Sequence, residues 1–380
     1  MRILLTGAGG FIAGHVADVA RERGHEVVGL DAWLDAAHGP GGGAGPWAAE
    51  GPGGGAGPWA AEGPGGGAGP WAAEDPGIVD LDLRTAEPGG PLDDLLREVD
   101  VVSHQAAMVG NGVDAQDLPA YAEHNDAGTA RLLAAMARTG RTELVLASSM
   151  VVYGDGRYDC PEHGDVPPAV RRDEDLAAGR YDPRCPVCGG DITWRLIDES
   201  TPFLPRTSYA ASKVAQEHFA GAWCTLESAR TVALRYHNVY GPGMPADTPY
   251  SGVAAIFRSA IERGEVPRVF EDGQQMRDFV HVRDVALANV LSIEQVAQHP
   301  VGVTPYNVAS GTPTTIGQMA RILASAAGAG EPELTGDYRG FDVRHVVASP
   351  EAAAAGLGFR AEIAPEDGLA QLATAPLRTR

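Results

Sequence analysis

Residues 1–15, MRILLTGAGGFIAGH, decide the fold. RILLT is a short apolar run with no polar alternation, as expected of a strand covered on both faces. TGAGGFIAGH then turns tightly into a helical pattern. Gly7 and Gly10 let the backbone approach a pyrophosphate lying on the positive end of that helix, with Phe11 and Ile12 opening its first turn. Such a string is weak evidence until its context is added. Here a second apolar run, HEVVGLD (25–31), ends on Asp31, about 20 residues on, where a carboxylate accepts hydrogen bonds from a ribose diol. The same charge repels a 2'-phosphate, so the expected cofactor is NAD rather than NADP.

Outward from this start the pattern repeats. IVDLDL (78–83), VDVVSHQAA (99–107), ELVLASS (143–149) and TVALRYH (231–237) alternate with helical stretches. The expected class is α/β, a Rossmann-type doubly wound parallel sheet. We place the NAD-binding domain at residues 1–234. Residues 235–380 form mainly a smaller substrate-binding lobe, with segments returning to the sheet. Residues 39–74 repeat GPGGGAGPWAAE three times without change, and this Gly- and Pro-rich unit has no periodic apolar face. A tolerated loop extension is expected, since each doubling of loop length costs only about 0.6 kcal/mol.

The net charge of -21 disfavours nucleic acid and anionic membrane as partners, so a small anion would need a local arginine cluster. With no leader-like start and no long apolar run, a soluble cytoplasmic protein is expected.

Lys213 is the only lysine of the chain. It stands four residues after Tyr209, so both share one face of the helix that PRTSY introduces. A free tyrosine, pKa about 10, is a poor base at neutral pH. An ammonium beside it, together with a positive nicotinamide ring, is expected to favour the phenolate. A compact ammonium on a flexible stem also reaches ribose hydroxyls, which a broad guanidinium fits less well.

Six ordered motifs, TGAGGFIAGH, HQAA (104–107), ASSMVVYGD (147–155), SYAASK (208–213), LRYHNVYGPG (234–243) and RDFVHVRDVA (277–286), resemble those of extended short-chain dehydrogenases/reductases acting on nucleotide sugars. One departure is Ala13, where the family's third glycine usually stands. The resemblance implies a catalytic set of Ser149, Tyr209 and Lys213, with Ser148 structural. It also implies Asp82 and Leu83 near the adenine, Ala106 and Ala107 along the diphosphate, and Asn238, Arg277 and Arg339 on a nucleotide-diphosphate sugar. The family's dehydratases carry an acidic pair after the active-site hydroxyl, where this chain has Met150 and Val151. The expected reaction is therefore epimerisation at C4 with retained NAD, the alternatives being a 4-ketoreductase with the same triad or a dehydratase of the same family. A homodimer through the Tyr209 helix and the helix near Asn125 is a further implication.

Between the Ser149 strand and the Tyr209 helix, residues 156–198 form an unusually long insert. It contains CPEH (Cys160, His163) and CPVCGG (Cys185, Cys188), two x2-spaced pairs that supply a three-Cys, one-His tetrahedral set for structural zinc. A zinc knuckle can also be a nucleic-acid module, but nine acidic against six basic residues in this insert argue otherwise. NAD-sensing regulators are the other non-enzymatic alternative, and they lose the Tyr and Lys kept here. The CPEHG and CPVCG pattern resembles a subgroup related to dTDP-L-rhamnose 4-epimerases. The remaining thiol, Cys224, is expected to be a buried small apolar side chain.

Overall fold

The computed structural model describes residues 1–34, 78–110, 115–246, 252–340 and 342–378. The repeat at 39–74 lies outside them.

Seven parallel strands form the central sheet: β1 (Arg2–Thr6), β2 (Glu26–Asp31), β3 (Ile78–Asp80), β4 (Val101–His104), β5 (Glu143–Ser149), β6 (Arg230–Tyr236) and β7 (Gly302–Val308). Their order is β3-β2-β1-β4-β5-β6-β7. Alternate side chains of one strand enter different cores. Ile3 and Leu5 of β1 join the core that contains Val16 and Ala20 of helix α1 (Phe11–Glu22), whereas Leu4 joins Leu132 and Met136 of helix α2 (Gly128–Thr139). Both faces are therefore apolar, which explains the unalternated runs. IVDLDL is shorter as a strand than expected, because Asp82 caps a 3-10 turn at Leu83–Thr85.

Helix α3 (Ser208–Glu227) starts at Thr207, whose hydroxyl accepts from Ala210 N at 3.1 Å. Its buried stripe, Lys213, Gln216, Glu217, Ala220 and Cys224, has helical spacing and faces the sheet. Cys224 is fully buried, as its apolar role requires, with Sγ 3.2 Å from the Thr231 hydroxyl.

The later half is mixed. Helix α4 (Val282–Gln295) and β7 pack with the sheet. A small sheet pairs Asn238–Tyr240 with Met276–His281 and the latter with Pro313–Thr315, over a core containing Phe257, Phe279 and Met319. The insert has its own three-stranded sheet, Arg157–Cys160 between Gly164–Val166 and Thr193–Arg195. Among the described residues, no helix is long and apolar enough to cross a membrane.

Candidate active site and dinucleotide crevice

The strand order reverses between β1 and β4, and this switch point is where a crevice opens at the carboxyl ends of the strands. Gly7 has φ +68°, and a Cβ there would lie 2.7 Å from the backbone of Ala106. Glycine is thus demanded twice, by conformation and by the close approach of the HQAA segment. Gly10 N donates to Gly7 O at 2.9 Å and closes the turn at the head of α1. Asp31 ends β2 at this mouth. Its carboxylate accepts from Gly9 N at 2.8 Å and Trp33 N at 2.9 Å, and so fixes the loop. Ala13 is buried in the core between α1 and the sheet, where its methyl fits. These features form the cradle that a dinucleotide needs.

The other expected dinucleotide residues gather around the crevice with unequal engagement. Ala106 N donates to the Thr6 hydroxyl at 3.2 Å, and Ala107 follows it, half-buried. Phe11 and Ile12 are partly buried against the lobe core and the sheet core respectively. Leu83 is buried, while the Asp82 carboxylate pairs with Arg84 at 2.6 Å.

Ser149 ends β5, where its hydroxyl accepts from Val151 N at 3.4 Å and is near enough to the Tyr209 phenol to act on its acidity. Lys213 Nζ donates to Ala147 O at 2.8 Å and lies 5.8 Å from the Tyr209 ring centre. Burial pushes the phenol pKa well up, and the nearby Ser149 hydroxyl only partly offsets it. The expected acidic phenol is therefore corrected for the protein by itself: the ammonium is turned to a carbonyl, so desolvation dominates. Burial also lowers the Lys213 ammonium from its ordinary 10.5 to about 7, against the opposing charges of Glu217 and Asp126.

That shift has a consequence for stability. Between pH about 7 and about 10.5, the unfolded chain holds a proton that folded, nucleotide-free protein has released, so the Lys213 contribution to stability rises with pH in that window. Below it both states are charged and the desolvation cost is constant. Lys213→Met is expected to flatten this rise, read as the pH dependence of the urea midpoint. Identical slopes for the two proteins would contradict the assignment.

Several supporting residues carried no signal in the sequence. Asn125 lies in a π-helical turn, donates to the Ser212 hydroxyl at 2.8 Å and exchanges hydrogen bonds with the Met108 backbone. It thereby joins α3 to the segment after HQAA. Ser148 has the structural role expected of it, donating to buried Glu217 at 2.5 Å. Arg378, near the chain end, donates to Gly9 O at 2.8 Å and so anchors the dinucleotide loop.

On the substrate side, Asn238 is partly buried with its Oδ1 unpartnered. Arg277 donates to the carbonyls of Met276, Arg344 and Val343 at 2.8, 3.0 and 2.5 Å. Arg339 is exposed and lies over the Phe270 ring at 5.2 Å. A cleft of about 230 Å³, whose lining includes Gly340 next to Arg339 in sequence, is also lined by Arg171, Arg206 and Arg344, none of them foreseen.

In the insert, the four expected ligand atoms all lie within 4.8 Å of one another. Cys160 Sγ is 3.5 Å from His163 Nδ1 and 3.7 Å from Cys188 Sγ, and Cys185 Sγ is 3.8 Å from His163 Nδ1. These three separations are of the size a tetrahedral ion would need, since Zn–S bonds of about 2.3 Å separate two sulfurs by about 3.8 Å. Backbone amides of the knuckle, chiefly that of Cys188, hold the Cys185 thiol below its usual range.

A glycine turn fixed by Asp31 at the switch point of a seven-stranded parallel sheet defines the Rossmann-type dinucleotide-binding class. Residues 3–184 and 189–309 match the NAD dependent epimerase/dehydratase family, and the chain belongs to that family. It is 33% identical to a dTDP-L-rhamnose 4-epimerase of Burkholderia thailandensis over 289 residues, 75% of this chain and 77% of that protein. It is 29% identical to a UDP-glucose 4-epimerase of Mycolicibacterium smegmatis, over 98% of this chain and 97% of the relative. Among solved structures, the Thermus thermophilus UDP-glucose 4-epimerase complex with NAD superposes with a TM-score of 0.69 at 26% identity, covering 98% of both chains.

Proposed function

We propose that this protein is an NAD-dependent nucleotide-sugar 4-epimerase, an isomerase acting on a dTDP- or UDP-activated sugar. The observation that carries the reading is the gathering of Tyr209, Lys213 and the end of the Ser149 strand beside the glycine turn, in a chain akin to named 4-epimerases. NAD supplies a reversible acceptor for the hydride of the sugar C4. Tyr209 takes the proton of the 4-hydroxyl and later returns it, and Ser149 holds the reacting oxygen. Lys213 orients the ribose and offsets the charge of the phenolate. Gly7, Gly10, Phe11, Ile12, Asp31, Asp82, Leu83, Ala106 and Ala107 hold the dinucleotide. Asn238, Arg277 and Arg339 hold the nucleotide diphosphate, for which charge-assisted hydrogen bonds are suited.

Incubating purified protein with dTDP-, UDP- and GDP-sugars, without added cofactor, should yield C4 epimers detectable by NMR. Product formed only on addition of reduced cofactor would favour the ketoreductase reading instead.

Cys160, His163, Cys185 and Cys188 hold one structural zinc in this reading, with no position left for substrate. Elemental analysis of protein purified without added metal is expected to give about one zinc per chain. A metal-free, fully stable preparation would contradict it. We also assign a homodimer through α3 and the helix that follows Asn125, supported by the exposed apolar side chains Phe219 and Leu226 on α3.

A further inference from the structure

We propose that the metal-held insert is a wall of the nucleotide-sugar cleft and that the metal sets affinity for the nucleoside diphosphate through it. The inference rests on the zinc reading above. The cleft lies between the insert, which contributes Tyr158 and Arg171, and the lobe, which contributes Asp342 and Arg344. Asp155 and Arg206, the latter three residues before Tyr209, join the lining.

The ligands are tied to that wall by short covalent and hydrogen-bonded paths. Tyr158 is on the strand that ends at Cys160. Asp182 precedes Cys185 by three residues, and Ala169 N donates to the carbonyl of Arg184, beside Cys185, at 2.9 Å. Moving the knuckle therefore moves the segment carrying Arg171.

A buried set of charges then locks the insert to the lobe. Arg171 Nη1 donates to Glu271 Oε1 at 2.6 Å, and Arg344 Nη1 to Glu271 Oε2 at 2.9 Å. The side chains of Arg171, Glu271 and Arg344 are 7, 2 and 3% exposed. Arg344 Nε continues to Asp182 of the insert at 2.8 Å, and its guanidinium also pairs with Asp272 at 2.7 Å. Glu271 has φ +55°, a costly backbone for a non-glycine residue, held because its carboxylate must stand between two arginines. With the insert displaced, buried Glu271 would lose Arg171 and keep only Arg344 of its two arginines, a costly loss for a charge this dry.

The lock also fixes the groups assigned to the diphosphate. Arg171 donates to the carbonyl of Asp342, and Arg277 donates to those of Val343 and Arg344, so residues 342–344 are held by the insert on one side and themselves hold Arg277 on the other. Arg339 stands just before them, and Asp342 N donates to its carbonyl at 3.1 Å. The glycine loop is held separately, by Asp31 and Arg378. Loss of the metal should thus weaken diphosphate binding while NAD stays in place.

The test uses NAD-loaded, full-length protein. Metal content, NAD content and calorimetric Kd for UDP, dTDP and GDP are measured before and after chelation under reducing conditions. Whichever diphosphate binds the loaded protein is expected to bind at least about tenfold more weakly after stripping, with NAD content unchanged. Arg171→Met, with its metal retained, should weaken binding similarly. If it does not fold, Asp182→Asn, whose carboxylate is 66% exposed, replaces it. Affinity within about twofold of the starting value, both in stripped protein and in the variant, would overturn the proposal, as would failure of all three diphosphates to bind loaded protein. Protein that carries no metal when purified would defeat the zinc reading and with it the metal's part in this one; Arg171→Met then decides the wall separately.

Discussion

Tyr209→Phe should fold, retain NAD and lose turnover by about a hundredfold or more, the low end for removal of a general acid-base group. The ring keeps its place, because its packing against Tyr121 at 6.1 Å does not involve the hydroxyl. What disappears is the phenol oxygen, whose acidity the nearby Ser149 hydroxyl affects. Burial raises the pKa of that phenol, so the protein alone does not make it a strong base at neutral pH. The positive charges must act together: the Lys213 ammonium, which burial itself weakens, and a bound positive nicotinamide. Conversion of nucleotide sugar, measured beside NAD content, separates chemistry from cofactor loss. Near-normal turnover in the variant would remove Tyr209 from the mechanism.

The second large effect is on stability. Arg235→Met is expected to cost about 3–5 kcal/mol, the range for breaking a buried ion pair from one side. Arg235 and Glu217 meet at 2.7 Å, each side chain 4% exposed. The guanidinium also donates to the Tyr153 hydroxyl at 2.9 Å and to the carbonyl of Glu199 at 3.0 Å, and lies over the Phe203 ring. Without it the Glu217 carboxylate is left with the Ser148 hydroxyl, which donates to it at 2.5 Å. Equilibrium urea unfolding measures the loss, and the double variant Arg235→Met, Glu217→Gln should recover part of it, since the stranded charge is then gone. A loss below about 1 kcal/mol in the single variant would mean that water reaches the pair.

Much of the fold was legible because its determinants are local. Apolar runs without alternation, a glycine turn and a carboxylate about 20 residues on are consequences of burying a parallel sheet beside a dinucleotide. The strand β7 was not read, since GVTPYNV contains Pro305 and Asn307 and resembles a loop. It is tolerated because β7 is the sheet's last strand, where a missing N–H can face away from the ladder. Cys160, His163, Cys185 and Cys188 were visible from their spacing, and the folded insert brings them to within 4.8 Å.

The sequence by itself determined the doubly wound sheet, the glycine cradle, the Tyr209 and Lys213 helix face and the ligand-like cysteine pairs, because each depends on residues near one another along the chain. Only the tertiary structure decided that Arg171, Glu271 and Arg344 share a dry cluster, that Arg378 reaches back to Gly9, and that Lys213 faces Ala147 rather than the phenol. Those outcomes depend on which distant segments exclude water from a given charge. No local pattern encodes that, because the energy of a buried charge is set by all its neighbours at once.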